Sequence, residues 1–137
     1  MSDTPKATRT GRCLCGAIRF RAEGAPIWVA HCHCESCRRQ TGAAFVTYAG
    51  YKTAAVTWTQ GTPATHASSP GVTRSFCPTC GTPLAFVGAR WPGEIHLFVA
   101  TFDDPAGFAP QAHVNTEEQL PWVHLADGLK RLKRTGA

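Results

Sequence analysis

The chain has 137 residues, 43% of them hydrophobic and 17% charged, with a formal net charge of +5. That length corresponds to one domain and the composition excludes a disordered chain. No run of about 18 apolar residues exists to cross a membrane, so no membrane role is expected.

In chain order, residues 1–10 are polar and read as a flexible lead; they lack the apolar centre of a secretory signal, so a reducing, cytoplasmic setting is expected. Residues 17–21 alternate, Ile18 and Phe20 against Arg19 and Arg21, which predicts a half-buried strand. Residues 27–30 form a short apolar run. Residues 44–48 and 55–59 are β-branched and aromatic, and a turn follows at Gly61-Thr62-Pro63. Residues 72–76, 84–87 and 95–100 predict three later strands, and Pro105, Gly107 and Pro110 mark a loop. Leu129 and Leu132, three apart, predict a helix from Asp127 to about Arg134. The expectation is one mainly-β domain over residues 11–129, followed by a basic tail over 130–137 that contains Lys130, Arg131, Lys133 and Arg134.

Seven cysteines in a reducing compartment need a reason other than disulfides, and an odd number cannot pair fully. All seven lie at ligand spacing: Cys13-x-Cys15, Cys32-x-Cys34-x-x-Cys37 and Cys77-x-x-Cys80. Cys77-Pro78-Thr79-Cys80-Gly81 reads as a metal knuckle. A redox Cys-x-x-Cys pair should open a helix, and Gly81-Thr82-Pro83 opposes one. Cys13 and Cys15 supply a second pair whose sulfurs would share one face of an extended segment, completing a closed four-sulfur site. Cys32, Cys34 and Cys37 are left as three ligands with one position open, the pattern of a catalytic or substrate-binding zinc. Loading both sites lowers the net charge to about +2, because four thiolates on Zn²⁺ carry −2 and three carry −1.

An ion held by three thiolates is a soft acid suited to a sulfur ligand, which favours thiol capture or carbon–sulfur exchange over hydrolysis. Arg38 and Arg39, directly after Cys37, are candidates for binding the carboxylates of an anionic thiol. His33 is a candidate fourth ligand by position, but lying between two cysteines it would point to the opposite side if the backbone there is extended. His31, His66, His96, His113 and His124 lack ligand spacing and read as surface or hydrogen-bonded core histidines. Trp91 and Trp122 read as core aromatics or pocket walls.

The ordered motifs Gly11-x-Cys13-x-Cys15-Gly16, Cys32-His33-Cys34-x-x-Cys37-Arg38 and Arg74-x-Phe76-Cys77-x-x-Cys80-Gly81 resemble the glutathione-dependent formaldehyde-activating enzyme family, which also contains centromere protein V. The similarity continues through Asp103-Asp104-Pro105, Pro110-x-x-His113-Val114, Pro121-Trp122 and Asp127-Gly128-Leu129. It implies a β-tent fold of antiparallel sheets related to zinc ribbons. It implies two zinc ions, a structural one on Cys13, Cys15, Cys77 and Cys80 and a catalytic one on Cys32, Cys34 and Cys37. The implied activity is a carbon–sulfur lyase joining glutathione and formaldehyde as S-hydroxymethylglutathione. The competing readings are a zinc-stabilised module binding nucleic acid or protein, and a thiol or metal sensor; dispersed basic side chains argue against nucleic acid.

Overall fold

The computed structural model describes residues 7–135, and its described residues form eleven strands and one short α-helix. Strands β1 (Thr8–Arg12), β2 (Arg19–Glu23) and β5 (Val56–Gln60) make a three-stranded antiparallel sheet in the order β1-β2-β5. The other strands are β3 (Trp28–Cys32), β4 (Val46–Lys52), β6 (Ala64–Ser69), β7 (Val72–Phe76), β8 (Pro83–Gly88), β9 (Glu94–Phe98), β10 (Ala112–Val114) and β11 (Lys130–Arg131). They form one sheet in the order β11-β10-β3-β4-β9-β8-β7-β6.

The mainly-β class is as expected, and pairing is antiparallel except that β10 lies parallel to both β3 and β11. The core lies where one face of the larger sheet, carrying Val29, Ala49, Tyr51, Ala85 and Leu97, packs against Phe20 and Ala22 of the smaller one. Period-two alternation sends the neighbouring side chains to the other face, and there they build the site.

Several expectations change. Thr8–Thr10 belong to strand β1 rather than to a flexible lead, and residues 1–6 of that lead lie outside the described residues. The helix predicted from Asp127 does not form. Gly128 takes a left-handed conformation (φ 73°), and the chain then joins the sheet edge, with the Leu132 N–H donating to the His113 carbonyl at 2.8 Å. The basic stretch therefore begins as strand β11, and Arg134 pairs with Glu117; residues 136 and 137 lie outside the described residues. Trp122 is 67% exposed, so it is not a core residue.

The helix that does form is α1 (Glu35–Thr41), inside the second cysteine motif. Cys34 caps its N-terminus, its sulfur accepting from the Cys37 N–H, and Gly42 closes it in the left-handed region at φ 71°. Glu35 and Arg39 form an i,i+4 ion pair along it.

One cross-strand row shapes the far face of the larger sheet. Trp28, Gly50, His96, Phe86 and Arg74 stand in register across β3, β4, β9, β8 and β7. Gly50 makes room for its neighbour, since a Cβ there would sit 2.4 Å from the Trp28 ring. Gly50→Ala is therefore expected to destabilise the fold by about 1–3 kcal/mol through overpacking. The check is a lowered urea midpoint at unchanged slope; an unchanged midpoint would show that the indole yields freely.

Candidate metal centres

The first knuckle follows β1. Residues 13–16 turn rather than continue the strand, so the two sulfurs are brought together by a tight turn and not by strand alternation. The Gly16 N–H donates to the Cys13 carbonyl, and Gly16 adopts φ 81°. The second knuckle, between β7 and β8, repeats this: the Gly81 N–H donates to the Cys77 carbonyl and Gly81 adopts φ 82°. Backbone N–H groups point at the sulfurs, from Ile18 to Cys13 and from Thr79 and Cys80 to Cys77. The structure thus brings Cys13, Cys15, Cys77 and Cys80 within 4.8 Å of one another.

Their spacing suits a tetrahedral ion. Sulfurs about 2.3 Å from such an ion stand about 3.8 Å apart; Cys13–Cys15 and Cys15–Cys77 are separated by 3.7 and 3.8 Å. The hydroxyl and backbone N–H of Thr82, joined by a backbone N–H at Cys15, hold the Cys80 thiol down at about 5, so it is a thiolate at neutral pH. Because the first knuckle hangs from the smaller sheet and the second from the larger, this cluster links the two sheets.

Cys32, Cys34 and Cys37 form the second group. Cys32 ends β3, Cys34 caps α1, and Cys37 lies on the first turn of that helix. The Cys32–Cys37 separation of 3.8 Å again matches a shared tetrahedral ion, while Cys34 and Cys37 stand closer, at 2.9 Å. Hydrogen bonds from the Cys32 and Cys34 thiols, and from the Tyr48 hydroxyl at 3.2 Å, outweigh burial and lower the Cys37 pKa. Arg74 contributes in the same direction. Cys32 is correspondingly raised, chiefly by its bonds to Cys34 and Cys37. The side-chain amide of Asn115 donates to Cys32 from the other side. A soft divalent cation fits this donor set.

The two groups differ in what they face. The three-sulfur group opens into a cleft of about 440 Å³, in the range of small-molecule sites. One wall is the register row, with Trp28 4.6 Å from His96, His96 5.3 Å from Phe86 and the Arg74 guanidinium 5.1 Å over Phe86. Trp91 joins this wall.

Arg74 is the buried cation of the cleft, 7% exposed, with Nε donating to Ser68 and Nη1 to Gln40. Arg74 interacts with both Tyr48 and Cys37; burial, then the neighbouring Cys37, raises the phenol pKa and keeps Tyr48 protonated. Sequence reasoning assigned no role to Tyr48 or Arg74, because the strand pairing that brings β4 and β7 onto one sheet is not readable from local pattern. Arg38 and Arg39, the arginines singled out by position, do not line the cleft. Arg38 donates to the His33 and Glu118 carbonyls and Arg39 to Glu35.

His33 turns away from the sulfurs and meets His113 at 3.0 Å. Burial, then His113, holds its pKa down at about 4, so the ring is neutral. His31 and His96 are hydrogen-bonded, to Thr47 and Glu94, while His66 and His124 are exposed.

The model of the glutathione-dependent formaldehyde-activating enzymes matches residues 8–118, a span that contains all seven cysteines, Tyr48 and Arg74. The chain belongs to this family. A Halomonas elongata protein provisionally named a glutathione-dependent formaldehyde-activating enzyme is 30% identical over 124 residues, covering 84% of this chain and 79% of its own length. An uncharacterized lyase of Schizosaccharomyces pombe is 34% identical over 76 residues, 56% of this chain and 55% of that protein. A crystal structure of a Rhodobacter sphaeroides protein superposes with a TM-score of 0.59 at 21% identity, covering 90% of this chain and 98% of that one, a likeness of fold. No helix among the described residues is long and apolar enough to cross a membrane.

Proposed function

We propose that this chain is a carbon–sulfur lyase that joins a small thiol to an aldehyde and releases them again, with glutathione and formaldehyde as the leading pair. The observation that carries this reading is the three-sulfur group at the end of a cleft that also holds a buried arginine and a protonated tyrosine. In this reading Cys32, Cys34 and Cys37 hold a zinc ion, and Cys13, Cys15, Cys77 and Cys80 hold a second, structural one. The ion in the open site supplies a Lewis acid that favours the thiolate form of an incoming thiol.

The chain's own groups supply the rest. The Arg74 guanidinium donates to Ser68 and Gln40 and interacts with Cys37 and Tyr48, and as the buried cation of the cleft it replaces Arg38 and Arg39 as the group whose charge pairs with a substrate carboxylate. Arg38 instead ties the carbonyls of His33 and Glu118 together around the cysteine loop. The aromatic row gives the substrate an apolar wall. As the thiolate sulfur bonds to the aldehyde carbon, the carbonyl π pair moves to oxygen, and the Tyr48 hydroxyl swings from the Cys37 sulfur to donate its hydrogen bond to that oxygen, which then takes a proton from water at the open mouth of the cleft. In reverse the hydroxymethyl oxygen gives up its proton, the carbon–sulfur bond breaks and the thiolate leaves.

Exchange spectroscopy by NMR on glutathione, formaldehyde and their adduct tests the activity: the holoprotein should speed interconversion above the uncatalysed rate, and no acceleration would end the proposal. Arg74→Met should raise KM for glutathione about ten- to hundredfold, the loss of one charge-assisted bond, while Arg39→Met changes nothing. A fall in kcat at constant KM would instead assign Arg74 to the sulfur group rather than to the substrate.

A further inference from the structure

On the sheet face opposite the cleft, three side chains far apart in sequence converge. His31 of β3 and His113 of β10 are directly opposed in the parallel pair, with ring centroids 4.8 Å apart. Asp127 reaches them from the segment before β11. One ligand atom from each of the three lies within 4.8 Å of the others.

Each of the three is held from behind. His31 Nδ1 is hydrogen-bonded to the Thr47 hydroxyl at 2.8 Å. His113 Nδ1 is bonded to His33 Nε2 at 3.0 Å. Asp127 Oδ1 accepts the Leu129 N–H at 3.1 Å. The atoms left to converge are therefore Nε2 of His31, Nε2 of His113 and Oδ2 of Asp127. Metal-binding histidines engage their second nitrogen in this way, which fixes tautomer and ring orientation. His113 Nε2 and Asp127 Oδ2 are 2.8 Å apart. Adjacent ligands about 2.1 Å from an octahedral ion stand about 3.0 Å apart, so the pair straddles a common position with little movement. The Asp127 side chain is 38% exposed, which leaves an ion a way in.

We propose that His31, His113 and Asp127 form a further metal site for a divalent first-row cation, with two imidazoles, one carboxylate and the remaining positions open to water or a ligand. Two imidazoles with one carboxylate select a harder ion than either sulfur group does. The site lies across the sheet from the cleft, and it does not depend on the reading of the cysteines. The competing account is a histidine–aspartate ion pair that binds nothing.

The test uses the untagged full-length chain loaded with Co²⁺ under reducing conditions, freed of loose metal and assayed for cobalt content and absorption. Cobalt on thiolate sulfur shows sulfur-to-metal charge-transfer bands; cobalt on nitrogen and oxygen does not. Wild type should hold one equivalent beyond those that the charge-transfer bands account for. Asp127→Asn and His31→Gln should each weaken that equivalent at least tenfold, with the charge-transfer bands and far-ultraviolet circular dichroism unchanged. His66→Gln, an exposed histidine away from the cluster, should retain it. Equal cobalt content in wild type and Asp127→Asn would overturn the site. Failure of the cysteine reading would look different: the charge-transfer bands would be missing while the difference between wild type and Asp127→Asn remained.

Discussion

Cys34→Ser is expected to lower thiol–aldehyde exchange by more than about 100-fold while the protein stays folded. The magnitude follows from the cost of disturbing even the partners that orient metal ligands, about 10–100-fold, which loss of a ligand should exceed. Serine is chosen because Cys34 has two duties. Its sulfur belongs to the three-sulfur group, and it also caps helix α1 by accepting the Cys37 N–H at 3.3 Å. Serine is among the best N-cap residues, so the helix keeps its cap and only the soft donor is lost. Alanine would remove both and cost about 1 kcal/mol of helix stability in addition. Metal content should fall by one equivalent per chain, and the thermal midpoint should move by only a few degrees. Wild-type exchange rates in Cys34→Ser would remove the three-sulfur group from the chemistry, whatever the metal content.

The strands that form the sheets were legible where burial on one face imposes alternation or where β-branched residues cluster, as in β2, β4, β5, β7 and β9. Strand β6 was not, because Ala64–Ser69 is an edge strand, almost wholly exposed, with no apolar face to read. Strands β10 and β11 are three and two residues long and exist only because they pair with β3 and each other. The tail was misread as a helix since Leu129 and Leu132 satisfy a helical spacing locally, while Gly128 and the free edge of β10 decide the outcome at longer range. Helix α1 escaped notice for a different reason: its N-cap is a cysteine, outside the usual capping residues, although Glu35, Arg39 and Gly42 sit where a first turn, a last turn and a C-terminal glycine should.

The grouping of the cysteines was legible because ligand spacing is local within each knuckle. The surroundings of the three-sulfur group were not. Arg74 and Tyr48 come from different strands, and His31 and His113 are brought face to face only by a parallel register. Proximity to a motif singled out Arg38 and Arg39, which follow Cys37 directly, yet the helix carries Arg39 to the surface and commits Arg38 to two backbone carbonyls. Chemistry that depends on sheet pairing appears only when strand order is known.

The four-sulfur cluster should decide whether the chain folds at all. It joins the β1–β2 turn of one sheet to the β7–β8 turn of the other, and the main core lies between those sheets. Structural zinc contributes about 10–16 kcal/mol of apparent binding free energy in small domains, against a total stability of about 5–15 kcal/mol. Removal of the ion from this cluster is therefore expected to unfold the protein. Cys80→Ala isolates the effect: Cys80 is half-buried, so little packing is lost with it, whereas Cys77 is fully buried and would leave a cavity. The variant should lose more than about 10 °C from its thermal midpoint, corresponding to at least about 3 kcal/mol in a chain of this size. A chelator added to wild type should act in two stages, abolishing exchange first at the open three-sulfur site and collapsing the far-ultraviolet signal later at the closed one. Cys80→Ala melting at the wild-type temperature would show that the sheets hold together through their apolar contacts alone.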